Sequence, residues 1–297
     1  MTKEKINLHT HTSFCDGKNT VEEMVLSAIN SGFTVLGFSS HSFYPMDPKF
    51  YLPFDSLWHI PADQVKAYAA EVKRLAQKYS GQIKIQLGFE ADFFESSVYG
   101  SAIPTKESYE VFEPDYLIGA VHFVNTDKGF YTVDHKTEFV KENLIKLYSK
   151  GDGSIDGKKA VCDYFEAERA LLQKGNFEIL AHPDLIRKRN GDLHFFDEEE
   201  SWYKEQLKLT AKAVAKAGVI AEINTGAMAR GSMNDVYPSA QFLEYLKELG
   251  VPVCISSDCH EADKLDFAFD FAADRAKKAG YDELSYPVQG KIVHIKL

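Results

Sequence analysis

Short apolar runs alternate with helix-patterned stretches along the whole chain, and this alternation narrows the possible folds more than any other feature. Strands are predicted over 6–8, 35–38, 83–87, 117–120, 178–181, 219–223 and 252–255, with helices over 64–78, 137–148, 159–174, 202–216 and 240–249. An earlier helix is marked at both ends: Thr20 and Glu23 form a capping box, Val21, Met24, Val25, Ala28 and Ile29 share one face, and Gly32 closes it. Strand, helix, strand is the unit that builds parallel sheets, because parallel neighbours need a long crossover between them. Seven such units over 297 residues, with no Pro/Gly/Ser-rich linker, predict one α/β domain covering residues 1–297, either a closed barrel or an open doubly wound sheet. The glycine-rich stretch 151–159 is the best candidate for a boundary, but it falls between two predicted helices and reads as a surface loop.

The polar residues are placed relative to these strands. Strand one runs into His9, Thr10 and His11, strand two into His41, strand three into Glu90, strand four into His122, strand five into His182, and strand seven into Asp258, Cys259 and His260. Strand six ends in Asn224, Thr225 and Gly226, with Arg230 nearby. The C-terminal edge of a parallel sheet is where the βα loops converge. Six of the ten histidines therefore share one predicted rim with three carboxylates, Asp16, Glu90 and Asp258. One histidine there would mean little, being most simply a polar residue at the margin of the core. So many titratable groups crowded together are costly to bury unless cations hold them, and a metal cluster is the expected explanation. His9 and His11, two apart on a strand, face the same side and can meet one ion. Imidazole with carboxylate suits zinc, iron or manganese, whereas magnesium and calcium sites use mainly oxygen. His59, His135, His194 and His294 fall in loops or near the C-terminus and receive no role.

A chain of this size buries enough surface to fold without a metal staple, so the expected metals are there for chemistry. The formal net charge of −10 repels polyanions and argues against nucleic acid, while leaving a small anion able to enter a locally positive cleft. No apolar stretch reaches the ~18 residues of a membrane span, and the start, MTKEKINLHTHT, lacks the apolar core of a secretory signal. A cytoplasmic protein with no membrane partner is expected. Cys15, Cys162, Cys254 and Cys259 form no CxxC pair, so reduced thiols are predicted rather than disulfides or a four-cysteine zinc site. Oligomeric state is left open.

Six segments, in order from residue 9 to residue 260, resemble the polymerase and histidinol phosphatase (PHP) superfamily: His9-Thr10-His11-Thr12 with Asp16-Gly17, Ser40-His41, Gly88-Phe89-Glu90, Gly119-Ala120-Val121-His122-Phe123, Ala181-His182-Pro183-Asp184 and Ser256-Ser257-Asp258-Cys259-His260. The stretches HTHTSFCDGKNTVEEMVLSAINSGFTVLGFSSHS, DYLIGAVHF and EINTGAMAR are most similar to its stand-alone histidinol-phosphatase branch. The resemblance implies a distorted seven-unit (β/α)7 barrel of the PHP type and three divalent ions, zinc first, with iron or manganese as substitutes. It implies that His9, His11, Glu90 and Asp258 hold one ion, that Glu90 bridges to a second held with His122 and His182, and that Asp16, His41 and His260 hold a third. Other PHP branches often carry histidine where Asp16 stands, so the third site is expected to be weaker or more tolerant of harder metals.

The implied activity is hydrolysis of a small phosphate monoester, L-histidinol phosphate foremost, by attack of a metal-bridging hydroxide, with Glu90, Asp258, Arg187 and Arg230 as the catalytic set. Arg187 and Arg230 lie in rim loops and by the same resemblance grip the phosphate oxygens, with Arg189 as a substitute for Arg187; Arg74, Arg169 and Arg275 fall in predicted helices and read as solvated. Three divalent ions outweigh the three carboxylates and one hydroxide, which would leave the cleft positive within a negative protein. Cys259, between two ligands on extended chain, points away from the ions and reads as packing rather than nucleophile. The loop 42–54, and Asp92 and Glu95, are candidates for contacting the alcohol. Alternatives of other kinds are a PHP phosphodiesterase or exonuclease acting on nucleotides, and a non-catalytic PHP scaffold.

Overall fold

The computed structural model describes residues 4–43 and 58–297. Seven parallel strands follow one another around a sheet in chain order: β1 (Ile6–Asn7), β2 (Val35–Phe38), β3 (Lys84–Asp92), β4 (Tyr116–Ala120), β5 (Ile179–Leu180), β6 (Ile220–Asn224) and β7 (Val253–Ser256). Their registers run Ile6 to Val35, Val35 to Lys84, Gly88 to Tyr116, Ile118 to Ile179, Ile179 to Ile220 and Ala221 to Val253. Just past β1 and β7, Thr10 bridges Cys259, and His11 N–H donates to the Cys259 carbonyl at 2.9 Å. The two ends of the sheet thereby meet, and of the two architectures open at the start, the nearly closed barrel is the one formed.

Helices α1 (Val21–Asn30), α2 (Val65–Lys78), α3 (Thr137–Tyr148), α4 (Gly157–Lys174), α5 (Ser201–Ala217), α6 (Ala240–Glu248) and α7 (Phe269–Lys278) supply the outer layer. The expected capping box is present: Glu23 N–H donates to Thr20 Oγ1, and the Glu23 carboxylate accepts from Thr20 N–H. Val21, Met24, Val25 and Ala28 of α1 are buried, joining a core cluster that runs from Ile6 to Val288. Arg74 is exposed beside Glu71, but Arg169 and Arg275 are not simply solvated: Arg169 donates to Thr210 on α5, and Arg275 pairs with Asp235 at 3.1 Å.

Two departures from the predicted strands matter. β3 continues through Glu90 to Asp92 because it has partners on both sides: residues 84–87 pair with β2, then Glu90 and Ala91 pair with the short strand His41–Ser42, while 88–92 pair with β4. Tertiary pairing thus overrides the local signal that polar residues end a strand. A C-terminal hairpin, Glu283–Val288 with Lys291–Lys296, escaped sequence reading; Tyr286 OH exchanges hydrogen bonds with Ile255 of β7, and Pro287 accepts from Gln86 of β3. Inside the barrel, Tyr116 OH donates to the carbonyls of Leu8 and Phe38, tying β4 to β1 and β2. Gly37 and Gly88 make room for it, since a Cβ at either would lie 2.3 or 2.4 Å from the Tyr116 phenol.

Candidate metal centre

Glu90, deep in β3 and fully buried, sits among five histidines. Its Oε2 lies 2.7 Å from His41 Nδ1, 3.2 Å from His9 Nε2 and 3.5 Å from His11 Nε2; its Oε1 lies 2.8 Å from His182 Nε2 and 3.4 Å from His122 Nε2. Asp258 Oδ1 is 3.1 Å from His11 Nε2 and 3.7 Å from His9 Nε2. Asp16 Oδ1 is 3.2 Å from His260 Nε2 and 3.8 Å from His41 Nε2. All nine residues of the expected ligand set are brought together, from six segments that are remote in sequence.

Several of these atoms have no hydrogen-bond partner although water cannot reach them: His9 Nε2, His11 Nε2, His41 Nδ1 and Glu90 Oε2. Each orphan costs about 1–3 kcal/mol unless something satisfies it, and a divalent cation at their focus does so for all. Three groups have ligand atoms mutually within 4.8 Å: His9, His11 and Glu90; Glu90, His122 and His182; and His11, Asp16, His41 and His260. His41, Asp92 and His122 form a fourth group that overlaps these. The residues present therefore fit metal ions, and their imidazole and carboxylate chemistry fits zinc-like ions.

A second layer fixes how the imidazoles point, and sequence reading missed most of it. Glu222 on β6 takes His9 Nδ1 on Oε1 at 2.7 Å, and on Oε2 accepts from His182 N–H at 2.9 Å and Asn224 Nδ2 at 2.8 Å. Asp92 lies between His122 Nδ1 and His59 Nε2, each 2.6 Å away. It is thus a buried brace for the cluster and not a contact for the alcohol; Glu95 is exposed and paired with Lys174, also away from the site. A carboxylate behind an imidazole fixes its tautomer and raises its basicity. One sequence signal was available: Glu222 is a lone charge within the apolar run Ile220-Ala221-Glu222-Ile223.

Electrostatics follow this layout. Burial disfavours charge on His122, but Asp92 and Glu90 outweigh it and raise the imidazole to about 10. Burial likewise opposes charge on His9, yet Glu222, Glu90 and Asp258 hold its pKa well above the usual value. His11 goes the other way, lowered to about 3 by burial and by His260 and His41 beside it. Burial pushes the Cys259 thiol up to about 12, consistent with a packing role. His182 and Asp258 hold positive φ of 24° and 47° without being glycine, a conformation costing about 1–3 kcal/mol that clusters at functional sites.

A cavity of about 220 Å³ opens onto the cluster, lined beyond the ligands by Trp58, Asp134, His135, Leu185, Lys188 and Arg230. Arg230 donates through Nη2 to Asp258 Oδ2 at 2.8 Å and through Nη1 to the Asp258 carbonyl at 2.9 Å. Arg187 does not face this cavity. It is buried against Glu198 at 2.8 Å, with Asp235 and Asp184 at 3.6 and 3.7 Å, so its expected grip on phosphate is corrected: Lys188 is the cation this loop turns inward. Arg189, its named substitute, instead donates to the backbone carbonyls of His135 and Asp134. His59 and His135, given no role from sequence, are a brace and a cavity wall, while His194 and His294 lie elsewhere. Of the loop 42–54, residues 44–54 lie outside the described residues.

A parallel seven-strand barrel with a His/Asp/Glu cluster at the C-terminal edge of its strands defines an enzyme built for metal-dependent chemistry. The sequence profile of the PHP domain matches residues 7–226, and the chain belongs to the PHP domain family. A protein of Deinococcus radiodurans named as a probable histidinol-phosphatase is 26% identical over 273 residues, 92% of each chain. A crystal structure from Listeria monocytogenes superimposes with a TM-score of 0.72 at 22% identity, covering 90% of this chain and 99% of that one. The crystal structure of a histidinol phosphate phosphatase from Lactococcus lactis, complexed with zinc, L-histidinol and phosphate, superimposes with a TM-score of 0.67 at 20% identity, covering 98% of this chain and 99% of that one. Both share the barrel fold.

Proposed function

We propose that this chain hydrolyses L-histidinol phosphate to L-histidinol and phosphate, a step of histidine biosynthesis, at a cluster of three divalent ions, zinc foremost and iron or manganese as substitutes. The observation that carries the reading is Glu90, whose two oxygens face two separate sets of imidazoles, as a carboxylate bridging two ions requires. His9, His11, Glu90 and Asp258 would hold one ion, Glu90, His122 and His182 the second, and Asp16, His41 and His260 the third. Such ions, when bound, supply an acidified water and positive charge against the phosphoryl oxygens.

The chain's own residues then act as follows. Glu222 and Asp92 hold His9 and His122 with Nε2 toward the cluster and the other ring nitrogen protonated. Arg230 orients Asp258 and presents its guanidinium to the cavity, and Lys188 offers a second cation. Together they offset charge on the terminal phosphate oxygens. The role expected of Arg187 passes to Lys188. We read residues 1–297 as one domain, supported by a core cluster that reaches from Ile6 to Val288. Four unpaired cysteines, and no helix long and apolar enough to cross a membrane among the described residues, accord with a cytoplasmic setting.

The test is the metal-loaded protein assayed against L-histidinol phosphate, an aryl phosphate and a phosphodiester. The highest kcat/KM is expected on L-histidinol phosphate. Preference for the diester would overturn the monoesterase reading, and no turnover of any would favour a scaffold.

A further inference from the structure

Asp134 is a cavity carboxylate that the metal cluster does not use. It belongs to none of the groups of converging ligands, yet it lines the cavity beside Lys188, His135 and Trp58. Lys188 Nζ donates to its Oδ2 at 2.9 Å, while Oδ1 accepts no hydrogen bond among the described residues and the side chain is 27% exposed. The loop is pinned from behind, where Arg189 donates to the carbonyls of His135 at 2.6 Å and Asp134 at 3.2 Å. Asp134 thus presents a fixed anionic oxygen to the cavity, directly beside a cation.

We propose that Asp134 selects phosphate esters whose alcohol carries an ammonium group, accepting from that group on Oδ1 while Lys188 serves the phosphate. The proposal rests on the phosphomonoesterase reading above and deepens it. In an amino-alcohol phosphate such as L-histidinol phosphate, the ammonium sits on the carbon next to the esterified one. A site that holds both ends at once needs an anion and a cation a few ångströms apart, and the Asp134 and Lys188 pair is such an arrangement. Burial opposes charge on Asp134, but the Lys188 ammonium beside it holds its carboxyl well below the usual range.

Asp134→Asn tests this. The amide oxygen can still accept from Lys188, and the NH2 then takes the cavity position, where it meets an ammonium donor to donor. A charge-assisted hydrogen bond of the usual strength predicts a loss of about 30-fold in kcat/KM on L-histidinol phosphate, mostly in KM, with 3-(imidazol-4-yl)propyl phosphate, which lacks the amine, left within about threefold. Metal content by mass spectrometry is expected to be unchanged, and Asp134→Glu is expected to retain the preference for the amine. Calorimetric binding of L-histidinol to wild type and D134N gives the same comparison without turnover. Equal losses on both esters, or none on either, would overturn the proposal, because Asp134 would then serve only to hold Lys188. If wild type fails to hydrolyse L-histidinol phosphate, the substrate named above is wrong, and 2-aminoethyl phosphate against ethyl phosphate in the same two proteins still decides the role of Asp134.

Discussion

Glu222→Gln changes one atom in a fully buried side chain and is expected to strip metal from the site. Asn224 Oδ1 accepts from Gly226 N–H at 2.8 Å, so its Nδ2 must be the group that donates to Glu222 Oε2, alongside His182 N–H. Two donors on that corner force the glutamine oxygen to lie there. Its NH2 must then face His9 Nδ1, now 2.7 Å from the glutamate Oε1. A ring nitrogen that receives a hydrogen bond is unprotonated, so in the neutral ring that metal binding requires, the remaining proton of His9 moves to Nε2, the atom aimed at Glu90 and Asp258 and the one a metal needs free. Substitutions behind a metal-bound histidine typically lower metal affinity 10–100-fold, about 1.4–2.8 kcal/mol. The assay is equilibrium dialysis against a graded chelator, with metal per chain read by mass spectrometry and folding checked by circular dichroism. A folded E222Q that keeps its full metal complement at chelator levels that half-deplete wild type would refute the tautomer argument.

Other consequences can be checked in parallel. In the ion-free protein the neighbouring carboxylates raise His122 to about 10 and hold His9 well above its usual value, whereas metal binding requires both rings neutral. Metal affinity should therefore fall as pH drops below that range, and uptake at neutral pH should release protons, seen as calorimetric heats that differ between buffers of different ionisation enthalpy; equal heats would contradict it. Lys188→Met should lower kcat/KM on the monoester about 100-fold. Arg187→Leu should leave kcat/KM largely unchanged while costing about 3 kcal/mol in chemical denaturation, because Asp184, Glu198 and Asp235 lose their shared cation. Gly88→Ala drives a Cβ to 2.4 Å from Tyr116 Cζ and should destabilise by about 3 kcal/mol, less than additively when combined with Tyr116→Ala.

Much of the site was readable because a parallel barrel converts position along the chain into position in space. A polar residue just after a predicted strand belongs to one rim, whichever strand it follows, and His9, His122, His182 and Asp258 were all found that way. Glu90 was assigned to the rim although it lies inside β3, since the strand runs further than its local pattern suggests. Direction was harder than location. Arg187, Lys188 and Arg189 occupy consecutive places on a 3-10 turn, where neighbours project about a third of a turn apart, so only one can face the cavity. The one that does is Lys188, and the turn is entered through Asp184 at φ 65°, a backbone state that no residue pattern in the segment announces. Glu222, Asp92 and His59 were hidden for a related reason: a brace is defined by what it touches, and its partners lie 213, 30 and 33 residues away.

The bridge between Thr10 and Cys259 joins the ends of the sheet with very little backbone, for β1 itself is only two residues long. His9 and His11 stand on one side of that junction, and Asp258 and His260 on the other, separated by most of the chain. Bringing such distant segments together carries a loop-closure entropy of about 5 kcal/mol, and no shorter piece of the protein contains both halves. An ion held by His9, His11 and Asp258, as proposed above, would be a fastener across the barrel's seam as well as a reagent. The fourth ligand would join only once β7 has emerged, so tight metal loading should follow closure of the barrel, and a chain cut short before β7 should hold this ion much more weakly.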